Sequence, residues 1–164
     1  MNDQPREELP VLKDFREKKK QDQLPDWILA HLEEYASDPE KARLWDASQF
    51  GGYENTPTLL LTTTGRKSGR RVTLPLIYGD DGADQVIVGS KGGAPENPAW
   101  FLNLSADPKV DVQVGADRFQ AVARIATGPE RARLWAKMVG VYPAYTDYQS
   151  RTEREIPVIV LTRA

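Results

Sequence analysis

Cysteine is absent from this 164-residue sequence, and histidine occurs only once, as His31. Without cysteine there is no thiol catalysis, no disulfide and no thiolate-bound metal, and the composition suits a reducing cytoplasm. A single histidine also excludes a His-rich metal site and a Ser-His-Asp triad. Any chemistry must therefore rest on hydroxyls, carboxylates, cationic side chains or a bound cofactor.

Long apolar runs and a strong excess of charge of one sign are missing as well. No segment approaches the ~20 apolar residues of a membrane-spanning helix, and no basic-then-apolar leader indicates a signal peptide. The formal net charge of −2 argues against nucleic acid as a partner. We expect a single domain over residues 23–164, preceded by a charged, mobile arm over residues 1–22.

Two short helices are predicted at the start of the domain. Asp26 is a candidate cap for the first helix. The second has Asp38 at its cap and Pro39 in its first turn, and it is predicted to continue through Leu44 and Trp45. His31 lies among apolar residues of the first helix without an evident carboxylate partner, so we expect a hydrogen-bonded or exposed histidine rather than a catalytic one.

Six β-rich runs follow, and most of the connections between them are too short for a crossover helix. A helix after Asn97-Pro98 separates the third run from the fourth, and a helix from Pro129 precedes the aromatic segment before the last run. The pattern predicts an α+β fold in which an antiparallel, barrel-like sheet is flanked by helices. The runs begin near Thr58, Val72, Gln85, Val110, Phe119 and Ile156.

A basic turn joins the first two strands. Residues 66–71 contain four cations, Arg66, Lys67, Arg70 and Arg71, between and beside two glycines. Backbone N–H groups of a tight turn combined with cationic side chains form a site for phosphate or carboxylates. The alternative is a hairpin tip that only keeps the protein soluble.

Two further segments have the chemistry of a ligand site. Ser90 and Lys91 follow a strand and precede Gly92-Gly93, where a hydroxyl and a closely approaching backbone can contact a planar ligand. Tyr142, Tyr145 and Tyr148 recur every three residues, which places three phenols on one face. The alternatives are an ordinary small-residue loop and an aromatic stripe that faces the core. The charged run 151–155 is expected to be a solvated turn.

Four of these motifs, in this order, resemble those of the deazaflavin (coenzyme F420)-dependent nitroreductases and quinone reductases of actinobacteria, which have a split β-barrel fold. The resemblance rests on Leu60–Gly69, Ser90–Gly93, Asn97–Leu104, and Tyr142–Gln149 together with Ile156-Pro157. It covers roughly residues 56–162, whereas the N-terminal third matches poorly.

The resemblance implies a role for each motif. Arg66, Lys67 and Ser68 would hold the phosphate and oligoglutamate tail of the 8-hydroxy-5-deazaflavin cofactor, and Tyr142, Tyr145 and Tyr148 would line the substrate pocket. Contacts to the deazaflavin ring are implied for Val72, Thr73, Leu74, Pro75, Leu76, Ile77, Gly89, Ser90 and Lys91. The remaining cofactor contacts are implied for Ala99, Trp100, Phe101, Leu102, Asn103 and Tyr145.

We therefore expect a reductase that transfers a hydride from reduced deazaflavin to an electron-poor acceptor: a quinone, a coumarin-like enone or a nitroaromatic. Ser90 is the candidate for stabilising the developing anion, with a tyrosine hydroxyl or water supplying the proton. The alternatives are an FMN-dependent split-barrel oxidoreductase and a non-catalytic deazaflavin carrier. No metal is expected.

Two departures from the family pattern limit the resemblance. Some members that reduce nitroimidazoles carry a tyrosine at the position of Ile77, and some have a more apolar, membrane-associated N-terminus. The charged N-terminus here argues against tight membrane attachment. We expect a cytoplasmic protein with at most peripheral contact with the inner face of the cell membrane. We expect a monomer or a weak oligomer.

Overall fold

The computed structural model describes residues 25–164. The predicted arm over residues 1–22 lies outside the described residues. Five α-helices are present in the described part: α1 (Asp26–Ser37), α2 (Pro39–Ala42), α3 (Ala99–Ala106), α4 (Gly128–Val141) and α5 (Ala144–Ser150). Two single 3₁₀ turns, Ser48–Phe50 and Lys91–Gly93, complete the helical structure of that part. No helix between residues 25 and 164 is long and apolar enough to cross a bilayer.

Six antiparallel strands close into a barrel, as the alternating runs predict. The strands are β2 (Thr56–Thr64), β3 (Arg71–Asp81), β4 (Asp84–Val88), β5 (Lys109–Val114), β6 (Asp117–Ile125) and β7 (Val158–Arg163). Their order around the barrel is β2-β3-β4-β7-β6-β5, and β5 pairs back onto β2, with Leu61 opposite Val112. Closure leaves these strands without a free edge between β5 and β2.

The second predicted helix is shorter than its sequence pattern indicated. It ends at Ala42, and Leu44–Trp45 form a two-residue strand, β1, that pairs with the start of β2. Trp45 pairs with Thr56. The pairing partner lies outside the local sequence window, so local helical spacing could not show it.

Three smaller boundaries also differ from the sequence expectations. Pro25 rather than Asp26 occupies the cap of α1. Asn97 does not cap α3, because its side-chain oxygen accepts a hydrogen bond from Arg154 instead. The last strand begins at Val158, two residues after the predicted start.

The buried side chains form three clusters around the barrel. One fills its interior, with Leu61, Ile87 and Ile159 each no more than 1% exposed. A second lies between the barrel and the α4–α5 hairpin and contains Leu134, Met138 and the tyrosines of the predicted stripe. A third packs α1 against Leu60. The last two clusters hold α5 and α1 against the outside of the barrel.

Candidate functional site

A pocket of about 420 Å³ lies between α1, β3, the loop over residues 89–97 (the Ser90 loop), α3 and α5. Its volume is within the range of small-molecule and cofactor sites, and its lining is mostly apolar with a few polar groups. The lining residues are Trp27, Ile28, His31, Trp45, Phe50, Thr58, Pro75, Leu76, Ile77, Val88, Ser90, Lys91, Gly92, Pro98, Trp100, Tyr142, Tyr145 and Tyr148.

The three predicted tyrosines lie together and form one wall of this pocket. Tyr142 ends α4, and Tyr145 and Tyr148 lie on α5. The ring centroids of Tyr142 and Tyr145 are 4.9 Å apart in an edge-to-face arrangement, and Tyr148 is 5.9 Å from Tyr142. Tyr142 and Tyr145 are only 4% exposed. The segment therefore combines both interpretations of its sequence, because the same rings complete a core cluster and line the pocket.

Only one of these phenols has its hydroxyl proton free for a ligand. The Tyr142 hydroxyl donates to the Phe50 carbonyl at 3.0 Å, so in the 2.8 Å pair with Tyr148 the donor is Tyr148. The Tyr145 hydroxyl has no partner among the described residues. Burial raises the pKa of Tyr145 above its ordinary value. It therefore remains a protonated donor at neutral pH.

The Ser90 loop adopts an unusual backbone beside the tyrosines. Lys91, Gly92 and Gly93 have φ values of +46°, +61° and +82° in succession. A Cβ at Gly93 would lie 2.5 Å from the Tyr148 carbonyl oxygen, so this close approach requires glycine. The Ser90 hydroxyl lines the pocket and has no hydrogen-bond partner among residues 25–164, and Lys91 pairs with Glu96 at 3.0 Å.

Arg154 fixes this loop through hydrogen bonds from its guanidinium, a role that the local sequence does not predict. Its Nε donates to the Ala94 carbonyl at 2.9 Å, and Nη2 donates to the Ser90 carbonyl at 2.7 Å. Nη1 donates to the Gly89 carbonyl at 3.2 Å and to Asn97 Oδ1 at 2.8 Å. The expectation of a solvated turn over residues 151–155 is therefore wrong for Arg154, which is half-buried. Its partners lie about 60 residues away, so local sequence gave no signal.

A second aromatic wall, which adjoins the tyrosines at Phe50, is not indicated by the local sequence. Trp27 and Trp45 stack with centroids 5.5 Å apart and planes 18° from parallel, and Phe50 stacks on Trp45 at 5.5 Å and 22°. Trp27 and Phe50 remain 48% and 47% exposed. Three separate segments supply these rings: α1, β1 and the 3₁₀ turn. Parallel rings of this kind favour planar ligands.

His31 completes the aromatic wall. Its Nε2 lies 2.9 Å from the Ala42 carbonyl, which can only accept, so Nε2 carries the proton. The ring stacks on Trp45 at 6.1 Å. Burial lowers the pKa of His31, which keeps the imidazole neutral near pH 7. The expectation of a hydrogen-bonded histidine is confirmed, and the structure adds that His31 lines the pocket.

The basic hairpin tip is anchored to α3 by one side chain. Asn103 Oδ1 accepts from both the backbone N–H and the Nη1 of Arg66, each at 3.1 Å, while its Nδ2 donates to Thr63 Oγ1 at 3.2 Å. Arg71 is neutralised by Asp111. Lys67 has no ion-pair partner among the described residues. An anchored guanidinium beside an unpaired ammonium fits the chemistry of an anionic ligand tail.

The remaining predicted site residues are divided between the pocket and its surroundings. The Thr73 hydroxyl is hydrogen-bonded to Thr62 Oγ1 at 2.7 Å, Leu74 packs against the barrel interior, and Leu102 is 37% exposed. The pocket includes Pro75, Leu76, Ile77, Ser90, Lys91, Trp100 and the three tyrosines. The predicted residues that do not line it are Arg66, Lys67, Ser68, Val72, Thr73, Leu74, Gly89, Ala99, Phe101, Leu102 and Asn103.

Comparison with known proteins gives a consistent result. Residues 42–163 match the family model described as F420H(2)-dependent quinone reductase. An F420H(2)-dependent quinone reductase of Mycobacterium tuberculosis is 49% identical over 111 residues, which are 65% of this chain and 74% of that protein.

Solved structures agree with the sequence comparison. A structure of an F420-H2 dependent reductase is 40% identical, has a TM-score of 0.60, and is matched over 64% of this chain and 93% of its own. A protein solved as a domain-swapped dimer is also 40% identical, with a TM-score of 0.61 over 64% of this chain and 79% of its own. The family match spans the barrel, the Ser90 loop and the tyrosine segment. This chain belongs to the F420H(2)-dependent quinone reductase family.

Proposed function

We propose that this protein reduces quinones with the reduced deazaflavin F420H2, and that ring and acceptor stack in the pocket described above. The observation that carries the proposal is a pair of hydroxyls, Ser90 and Tyr145, that line the same pocket and have no partner in the described structure. Unpartnered donors in an apolar, ring-lined pocket are suited to an acceptor whose oxygen becomes negatively charged during reduction.

The residues present fit the cofactor that the family name specifies. Pro75, Leu76 and Ile77 of β3 line the same pocket as Ser90 and Lys91, and this lining suits a flat ring. The anchored Arg66 and the unpaired Lys67 provide a separate cationic position for the tail. When bound, the reduced deazaflavin supplies a hydride at C5 of its ring.

The chain supplies orientation, water exclusion and hydrogen bonding. A quinone that accepts a hydride becomes a hydroquinone anion, which then takes up one proton from water. In this proposal the Tyr145 Oη–H and the Ser90 Oγ–H donate hydrogen bonds to the oxygen of that anion. Because the pKa of Tyr145 is raised, its phenol keeps its proton and acts as a hydrogen-bond donor. The aromatic wall adds a second apolar surface that excludes water from the acceptor.

Quinones are the acceptors that this proposal places first, with coumarin-like enones and nitroaromatics as further candidates. A pocket wall of stacked rings favours planar, fused-ring acceptors. Position 77 is isoleucine, so no phenol is available there. We therefore expect weaker reduction of nitroimidazoles than of quinones.

The experiment compares two cofactors and then tests turnover. We expect the protein to quench the fluorescence of F420 on titration and to bind FMN much more weakly, and then to oxidise F420H2 when menadione is added. Preferred FMN binding would support an FMN-dependent enzyme. Tight F420 binding without menadione, enone or nitroaromatic reduction would support a carrier. The open, ring-lined space beside the tyrosines favours the enzyme over the carrier.

A separate proposal concerns assembly and location. We propose that the protein is a cytoplasmic monomer or weak oligomer with at most peripheral membrane contact. Sedimentation with and without F420 tests the oligomeric state, and a stable dimer comparable to the domain-swapped relative would overturn the proposal of a monomer.

A further inference from the structure

We propose that Arg154 is a positioning residue that holds the Ser90 hydroxyl towards the acceptor. This inference rests on the proposed function. The guanidinium donates to the carbonyls of Gly89 and Ser90 before the left-handed turn, and to Ala94 and Asn97 after it. One planar group therefore fixes both ends of the loop whose centre lines the pocket. Arg154 itself does not line the pocket, so it acts through the loop.

The loop needs such a constraint because its backbone is strained. Lys91 has a φ of +46°, the only positive φ at a non-glycine position in residues 25–164. The left-handed region is unfavourable for any residue with a Cβ, and it persists only when surrounding contacts enforce it. Two glycines follow directly, and they add freedom to the same turn. Without external hydrogen bonds, the loop would therefore relax and carry Ser90 with it.

Arg154 also links the two walls on which the proposed reaction depends. Gln149, on the helix that carries Tyr145 and Tyr148, donates to the Arg154 carbonyl at 2.8 Å and accepts from the Ile156 N–H at 3.0 Å. Arg154 thus connects the tyrosine helix, which contacts its backbone carbonyl, to the Ser90 loop, which contacts its guanidinium. A rigid five-donor fork suits this position, whereas a lysine ammonium cannot reach four acceptors on both sides of a turn.

The test is a double-mutant cycle between Arg154→Lys and Ser90→Ala, with kcat for menadione as the readout. We expect Arg154→Lys to lower kcat about tenfold in the wild-type background and less than about twofold when Ser90 is already alanine, because coupled residues are not additive. The KM for F420H2 should change less than kcat. Added guanidinium should partly restore kcat to Arg154→Ala but not to Ser90→Ala.

A readout without turnover separates this inference from the proposed function. In the cofactor-free protein, Arg154→Lys should increase hydrogen–deuterium exchange in residues 89–97 and leave the hairpin at residues 65–69 unchanged. Arg131→Lys is the matched control, because Arg131 donates to the Ile156 carbonyl at 2.6 Å in the same region but does not contact the loop. It should leave kcat and loop exchange as in the wild type.

Each outcome decides one question. Equal fold losses from Arg154→Lys in both backgrounds, or unchanged exchange at residues 89–97, would overturn the positioning role. A wild-type protein that reduces no acceptor, with loop exchange still raised in the variant, would overturn the proposed function alone. If Arg154→Lys does not fold, Asn97→Ala, which removes one of the four hydrogen bonds, enters the same cycle and decides the question.

Discussion

Two neighbouring tyrosines should respond in opposite ways to the loss of a single oxygen atom. Tyr142 and Tyr145 are both 4% exposed, and their rings touch edge to face. The Tyr142 hydroxyl makes two hydrogen bonds, to Phe50 and Tyr148, whereas the Tyr145 hydroxyl makes none with the described residues. A change to phenylalanine keeps each ring in place, so the comparison isolates the hydroxyl.

The magnitudes follow from this difference. Tyr142→Phe removes two hydrogen bonds and leaves partners unsatisfied, which should lower the free energy of unfolding by about 1–3 kcal/mol. For a protein of this size the melting temperature should then fall by about 2–4 °C per kcal/mol. Tyr145→Phe removes a hydroxyl without a protein partner, so the free energy of unfolding should change by less than about 0.5 kcal/mol.

Turnover should respond more to Tyr145→Phe than to Tyr142→Phe, which is the reverse of the order expected for stability. If Tyr145 donates to the acceptor oxygen, Tyr145→Phe should lower kcat for menadione about 100-fold, as for loss of one oxyanion donor. F420 affinity should change little, because the ring remains. The assay pairs thermal melts with steady-state kinetics on both variants. An unchanged kcat for Tyr145→Phe would refute the proposed donation to the acceptor, and a destabilisation equal to that of Tyr142→Phe would refute the hydrogen-bond assignment.

Three further predictions use other parts of the site. Ser90→Ala should lower kcat by up to ~100-fold with F420 affinity nearly unchanged; an unchanged kcat with altered affinity would make Ser90 a cofactor contact only. Changing Arg66 and Lys67 together to alanine should weaken F420 binding, and in the wild type salt should weaken the binding of F420 more than that of a tail-less deazaflavin. Equal salt dependence for the two ligands would contradict a tail site. His31 is the only histidine, and its pKa is lowered on folding, so the unfolded state binds more protons as pH falls below about 6.5 and stability decreases there. His31→Gln, which keeps a donor for the Ala42 carbonyl, should flatten this part of a denaturation profile, and a slope identical to that of the wild type would contradict the buried, neutral assignment.

Local sequence determined the elements whose signals lie within a few residues. Alternating runs predicted the six barrel strands, and Pro39 and Pro129 marked helix starts, because strand periodicity and proline geometry are properties of short segments. The basic turn and the glycine loop were recognised in the same way. Three-residue spacing predicted that Tyr142, Tyr145 and Tyr148 share a face. The family motifs lie within these same segments.

Tertiary structure decided everything that joins distant segments. Local sequence could not show that Arg154 would bond to a loop about 60 residues earlier, that Asn103 would anchor Arg66, or that Trp27, Trp45 and Phe50 would stack into one wall. Each of these contacts depends on how the closed barrel places its connections, and sequence spacing carries no information about that placement. Tertiary structure also decided which tyrosine keeps a free hydroxyl, because the Phe50 carbonyl that accepts from Tyr142 lies 92 residues away in the sequence.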